Sequence, residues 1–317
     1  MGETPMLRKR LMHQLIQQLI NGLSVGATYA LIALGYTMVY GVLRLINFAH
    51  GDVYMVGAVG GYFIARFAAQ HQLSPAVGLP LVFVGAIVLC AVLGFVIEFF
   101  AYRPLRARPR LVLLITAIGV SLLLENLAQL NVFFGATPKT FPKLLEVRPV
   151  ITFAGDIVLT NFDLLSLGLS VALMAVLTYV VLFTKTGLAL RAVSYRFDTA
   201  MLMGINTNRI ISFTFMFGSA LAAVAGVLDA IRYDVRPLMG VLPGLKAFVA
   251  AVLGGIGSIP GALVGGLFIG LIETLLKGVI LPSAYTGYAD AFVFVVLILI
   301  LLVKPSGLFG RVSTEKV

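Results

Sequence analysis

The chain has 317 residues, 60% of them hydrophobic and only 11% charged, with a formal net charge of +10. A soluble globular chain carries about 25% charge, so this composition excludes a water-solvated fold and points to an all-α, polytopic transmembrane bundle. The basic excess does not signal nucleic acid, because Lys and Arg stand in short clusters between apolar runs, as loops beside a bilayer do. The one cysteine, Cys90, leaves no internal disulfide and no Cys-based metal site.

A spanning helix needs about 20 apolar residues, and runs of that order recur along the sequence. Arg8, Lys9 and Arg10 ahead of the first run look like the start of a signal peptide. The apolar stretch continues to about residue 40, too long for that, and predicts an uncleaved helix spanning Asn21 to Gly41. Further runs place spans near 17–40, 48–69, 76–100, 111–134, 161–183, 209–231, 241–256, 261–278 and 288–304, giving eight or nine crossings in a single domain over residues 1–317. The 33 glycines and 13 prolines fit a closely packed bundle with broken helices.

Basic loops set orientation. Arg103, Arg106, Arg108 and Arg110, and then Lys185, Arg191, Arg196 and Arg209 in the loop 185–209, should face the cytoplasm. Two spans separate them, which puts the connection 135–160 outside. It carries Pro138, Lys139, Pro142, Lys143, Glu146, Arg148 and Asp156, with room for a small hairpin. The tail with Lys304, Arg311 and Lys316 returns inside if 254–260 is a tight inner turn. The N-terminus does not fit: three spans before Arg103 put Arg8, Lys9 and Arg10 outside, unless the stretch Asn47 to Gly51 is re-entrant.

In the inner loop, Phe197, Ala200, Met201 and Gly204 recur at three and four, the period of a surface helix, so a short amphipathic helix lies across the cytoplasmic mouth. Asp198-Thr199-Ala200 followed by Gly204 resembles the Glu-Ala-Ala, three residues, Gly pattern of permeases in binding-protein-dependent ABC importers, with Asp in place of Glu and Thr in place of the first Ala. The segments 29–41, 46–51 (Ile-Asn-Phe-Ala-His-Gly), 223–227, 246–248, 251–261 and 307–311, with the terminal Glu315-Lys316-Val317, extend the likeness to nearly the whole chain, 135–161 excepted. The chain is thus similar to the LivH-type permeases of high-affinity branched-chain amino acid importers.

The resemblance implies an ABC importer permease fold of the branched-chain amino acid/ribose type, in a bacterial inner membrane. It implies a second homologous permease, two ATPase subunits that hold ATP and Mg, and a periplasmic amino-acid-binding protein. It also implies an ATPase-coupling loop at Arg196, Asp198, Ala200, Gly204, Ile205 and Asn206. The residues agree on one point: no Gly-x-x-x-x-Gly-Lys-Ser/Thr loop is present, so ATP chemistry belongs on another chain. Urea or short-chain amide permeases remain the competing substrate class. A stand-alone secondary transporter would need intramembrane ionisable groups, and an intramembrane enzyme a nucleophile–base pair or metal cluster that this sequence lacks.

Polar residues inside spans cost free energy unless they face the bundle interior. Asn47 and His50 are either on the translocation route or a capped helix start. Glu98 should pair with Arg103 or Arg106, and Glu273 with Lys277 four residues on. Glu125 and Asn126 either line a wet path or bind a neighbouring helix. Asp229, Arg232, Asp234 and Arg236 look like a mixed-charge outer loop. Gly254, Gly255, Gly257, Pro260 and Gly261 form a turn between two helices, with Pro260 opening the second.

Overall fold

The computed structural model describes residues 5–106, 108–153, 157–304 and 307–309. Asp156 and the tail residues Gly310, Arg311, Glu315, Lys316 and Val317 lie outside the described residues. Among the described residues there are eleven α-helices: α1 Pro5–Leu43, α2 His50–Gln70, α3 Pro75–Val96, α4 Arg110–Gln129, α5 Asn161–Phe183, α6 Lys185–Tyr195, α7 Phe197–Leu202, α8 Thr207–Arg232, α9 Val241–Gly254, α10 Ile259–Leu275 and α11 Ala289–Val303. The connection after α4 holds a two-stranded antiparallel hairpin, β1 Pro149–Phe153 with β2 Ile157–Thr160.

Seven helical segments are long and apolar enough to cross a bilayer among the described residues, and α9, with 14 residues, is a shorter apolar helix. At 1.5 Å per residue α9 extends about 21 Å, short of a hydrocarbon core of about 30 Å. α1 does the opposite: its 39 residues extend about 58 Å and overrun the core at one end. α3 continues through a π-helical turn, Ile97–Tyr102, and α10 through another, Leu276–Ile280.

Glycine sets the packing distance. α1 lies against α10, where Gly266 and Gly270 face Ala30 and Gly26, and α2 lies along α8, where a Cβ on Gly57 would stand 2.6 Å from the Ala223 Cα. Small residues let helix backbones approach this closely where hydrocarbon offers no hydrophobic drive to associate. The buried core therefore runs through α1, α2, α8 and α9, while α4, α5 and α11 turn Leu111, Val171 and Leu302 outward.

The two ends of the bundle are identified by contacts. Gln17 near the start of α1 exchanges hydrogen bonds with the Val158 backbone of the hairpin, 3.1 and 2.7 Å. At the far end of α1, Ser194 of α6 donates to the Gly41 carbonyl and Arg44 to the Ser194 carbonyl. Arg106 donates to Asn208 at the start of α8, which places the arginine-rich link after α3 on the α6–α7 side. The N-terminal half of α1 is thus on the hairpin side, opposite both basic loops. α2 starts inside the bundle, with buried His50 packed against Gly35 in the C-terminal third of α1.

α8 runs on to Arg232, so Asp229 is helical rather than part of a loop. Its carboxylate accepts a hydrogen bond from the Tyr54 hydroxyl. Asp234 and Arg236 do lie in the connection after α8, which bridges to the hairpin side of the chain through Lys139 and Val235.

Candidate functional site

Three polar assemblies stand out, at one mouth, in the bundle wall and at the other mouth. At the first mouth, α6 is capped by Thr184, whose hydroxyl accepts from the Gly187 amide at 3.1 Å, and α8 by Asn206, whose side chain accepts from the Arg209 amide at 3.1 Å. Between them, α7 closes in a left-handed turn. Gly204 has φ +82°; its amide donates to Met201 and the Ile205 amide to Ala200. That pair of bonds is a Schellman motif, which requires a left-handed residue at the position Gly204 fills and sets the residue after it over Ala200.

The spacing Ala200 to Gly204 has a local physical cause. Ala200 is buried under the turn, whereas Phe197, Met201, Leu202 and Met203 are exposed, Leu202 to 88%. Arg196 and Asp198 flank this apolar surface on the exposed side. Phe197, Met201 and Leu202 on this six-residue helix, with Met203 at its end, thus form an apolar surface that the chain itself leaves uncovered.

Behind it lies a clamp. Glu98 is fully buried and takes Arg103 at 2.8 Å, Arg106, and the Ser212 hydroxyl at 2.6 Å. Both arginines pair, where the sequence asks for one. Burial pushes the Arg106 guanidinium down to about 10, which leaves it charged at neutral pH. Tyr102, on the same π-helical turn, donates to the Asn47 side chain at 2.9 Å. Asn47 therefore braces the α1–α2 link and does not cap α2, whose cap position is Ala49 without a side-chain bond. His50 is buried in edge contact with the Tyr36 ring, 4.7 Å between centroids.

In the bundle wall, Asp52 is buried and accepts from the Ser121 hydroxyl. Asp52 and Glu125 line one cavity of about 250 Å³ together with Phe48 and Phe248. Asn126 points away from it, its amide donating to the Leu122 carbonyl of its own helix at 2.7 Å. Sequence reading passed over Asp52, which sits two residues after His50; the only signal was a carboxylate inside a glycine-rich apolar run.

At the hairpin-side mouth, Lys246 of α9 lies 2.8 Å from Glu273 and 2.8 Å from Asp290. Lys277 lies 2.5 Å from the same Glu273 oxygen and 3.7 Å from Asp290. The Tyr29 hydroxyl donates to the other Glu273 oxygen at 2.8 Å. The helical pair Glu273–Lys277 is thus half of a four-charge group, joined by residues on α9 and α11. α9 ends at the turn that carries Gly255 at φ +98° and Gly257 at φ +92°. There Gly254 abuts Gly261, Ser258 caps α10 by accepting from the Gly261 amide at 3.2 Å, and Pro260 occupies its first turn.

Comparisons with known proteins converge. The family model described as branched-chain amino acid transport system, permease component, matches residues 18–301. The high-affinity branched-chain amino acid transport system permease protein LivH of Escherichia coli (strain K12) is 45% identical over 312 residues, covering 95% of this chain and 97% of its own length. The corresponding protein BraD of Pseudomonas aeruginosa is 43% identical over 95% of this chain and 98% of its own. The probable permease LivH of Methanocaldococcus jannaschii is 30% identical over 88% of each chain.

Proposed function

This chain belongs to the branched-chain amino acid transport system permease family, and on that premise we propose how its three polar assemblies divide the work of an ATP-driven importer. It is a multi-pass membrane protein and a permease subunit for branched-chain amino acids. The observation that carries this is the 45% identity with the Escherichia coli permease across 95% of the chain.

In the proposed complex, a second homologous permease lies beside this one in the bacterial inner membrane. Two ATPase subunits bind ATP and Mg on the cytoplasmic side, and an extracytoplasmic binding protein delivers leucine, isoleucine or valine. The exposed apolar face of α7, with Arg196 and Asp198 beside it, is the surface that the ATPase grips, and the loop 185–209 is cytoplasmic. Force applied to α7 passes through Ser194 to the end of α1 and along α8, which begins at the Asn206 cap. The hairpin-side mouth, reached by the connection 135–160, then faces the binding protein.

Physical chemistry limits what the permease must do. ATP supplies the free energy elsewhere, so the bundle needs only two arrangements whose populations the ATPase shifts. Short α9, followed by a turn with two left-handed glycines, Gly255 and Gly257, is a segment that can change its angle without unwinding a spanning helix.

The test is the assembled complex in liposomes. Leucine-loaded binding protein should stimulate ATP hydrolysis and drive leucine inward, and urea should do neither. Urea uptake in place of leucine would overturn the substrate assignment, and leucine uptake without ATP would overturn the importer reading.

A further inference from the structure

We propose that the cavity of about 620 Å³ between α1, α8, α9 and α10 is a binding site for a zwitterionic α-amino acid. The head group would be held by Lys246, Lys277, Glu273 and Asp290. The inference rests on the transport reading above and adds the place in this chain where the solute pauses.

Its first ground is the geometry of the charges. Two ammonium and two carboxylate groups alternate around the cavity wall, each lysine within reach of both carboxylates. Lys246 and Glu273 are almost completely buried, while Lys277 is 42% and Asp290 27% exposed. Charge at membrane depth is expensive and marks solute pathways when it faces a water-filled space. A buried ion pair also gains little over well-packed apolar side chains, so stability alone does not account for four charges gathered here.

The second ground is chemical matching. The group is electrically neutral, and a zwitterion brings one carboxylate and one ammonium. Its carboxylate can take the Lys277 ammonium while its ammonium takes the Asp290 carboxylate, so that every charge keeps a counterpart and the net charge stays zero. An amine or a carboxylate alone would leave the group with a net charge. Val25, Phe162, Leu228 and Leu242 give the same space an apolar patch for an aliphatic side chain, while Asp229, Arg232, Asp234 and Arg236, two of each sign, keep the rest of the wall neutral. Its volume falls within the roughly 300–1,000 Å³ of ordinary small-molecule sites. The cavity in the bundle wall, with Asp52 and Glu125 but no lysine or arginine among its lining residues, offers an amino acid nothing for its carboxylate.

The experiment uses the assembled importer carrying Leu242→Cys in a Cys90→Ala background, labelled with a membrane-impermeant maleimide in the absence of binding protein. Leucine at about ten times its half-saturating concentration should slow labelling of this chain about tenfold by occupancy. Isoamylamine, which lacks the carboxylate, and isocaproate, which lacks the amine, should not. Lys277→Met, at a half-exposed position, should label at the unprotected rate with leucine present.

Equal protection by either analogue, or undiminished protection in Lys277→Met, overturns the site; if Lys277→Met fails to assemble, the analogues decide. Leucine uptake by the unmodified importer is measured in parallel. Uptake without protection sinks this site alone, whereas no uptake at all sinks the transport reading beneath it.

Discussion

At Glu98 the chain buries a full negative charge at the end of a 31-residue span, and the neighbours explain why it tolerates this. Arg103 and Arg106 follow at five and eight residues, and the π-helical turn Ile97–Tyr102 shifts the helical phase so that both reach back to one carboxylate. Ser212 then ties the group to α8. Removing one member of a buried charge group costs about 3–5 kcal/mol, because the partners keep their desolvation penalty and lose their compensation. Glu98→Ala should therefore destabilise the solubilised chain by about that amount, read from reversible unfolding in mixed micelles. A loss below about 1 kcal/mol, the range of an exposed pair, would mean that both arginines simply turn to water.

Among the elements, α7 makes the sharpest demand on one residue. A Cβ on Gly204 would touch nothing within 4 Å, so space is not the constraint; the φ of +82° is, and for other L-residues the left-handed region costs about 1–2 kcal/mol. A β-branched side chain is the worst fit there. Gly204→Val should leave the chain in the membrane but redirect Ile205 and Asn206, and with them the apolar face. Binding-protein-stimulated ATP hydrolysis should fall about tenfold for each 1.4 kcal/mol of lost docking, while normal stimulation would remove α7 from the coupling path. The sequence made part of this visible. A helix around Ala200 follows from local spacing, and long apolar runs announce spans because length and hydropathy are local quantities. The mouth charges are different: Lys246 reaches Glu273 from 27 residues away, and no periodicity connects α9 to α11. The start of α1 also escaped, since its polar first turns hide where the helix begins, whereas the run read as 241–256 is α9 to within two residues. The β-hairpin was legible only as a possibility inside a polar connection.

At the scale of the whole molecule, the positive-inside rule conflicts with itself along this chain, and the contacts put its two basic groups at opposite ends of the bundle. Gln17 is bonded to the hairpin and Gly41 to α6, so Lys9 and Arg10 emerge on the side opposite Arg106 and Arg196. Orientation is set by the summed loop charge near span ends, and the basic loops after α3 and α5 outnumber the first cluster. In the proposed orientation the hairpin and the start of α1 face outward against the local rule. In a Cys90→Ala background, a membrane-impermeant maleimide should label Glu146→Cys on intact cells. Leu202→Cys should react only after the membrane is opened, since both positions are exposed in the fold and only sidedness separates them. The reverse pattern would put α7 out of reach of any cytoplasmic ATPase. The charged mouth would then face the cell interior, and the chain, with the same helices and the same contacts, could not be driven as an importer from that side.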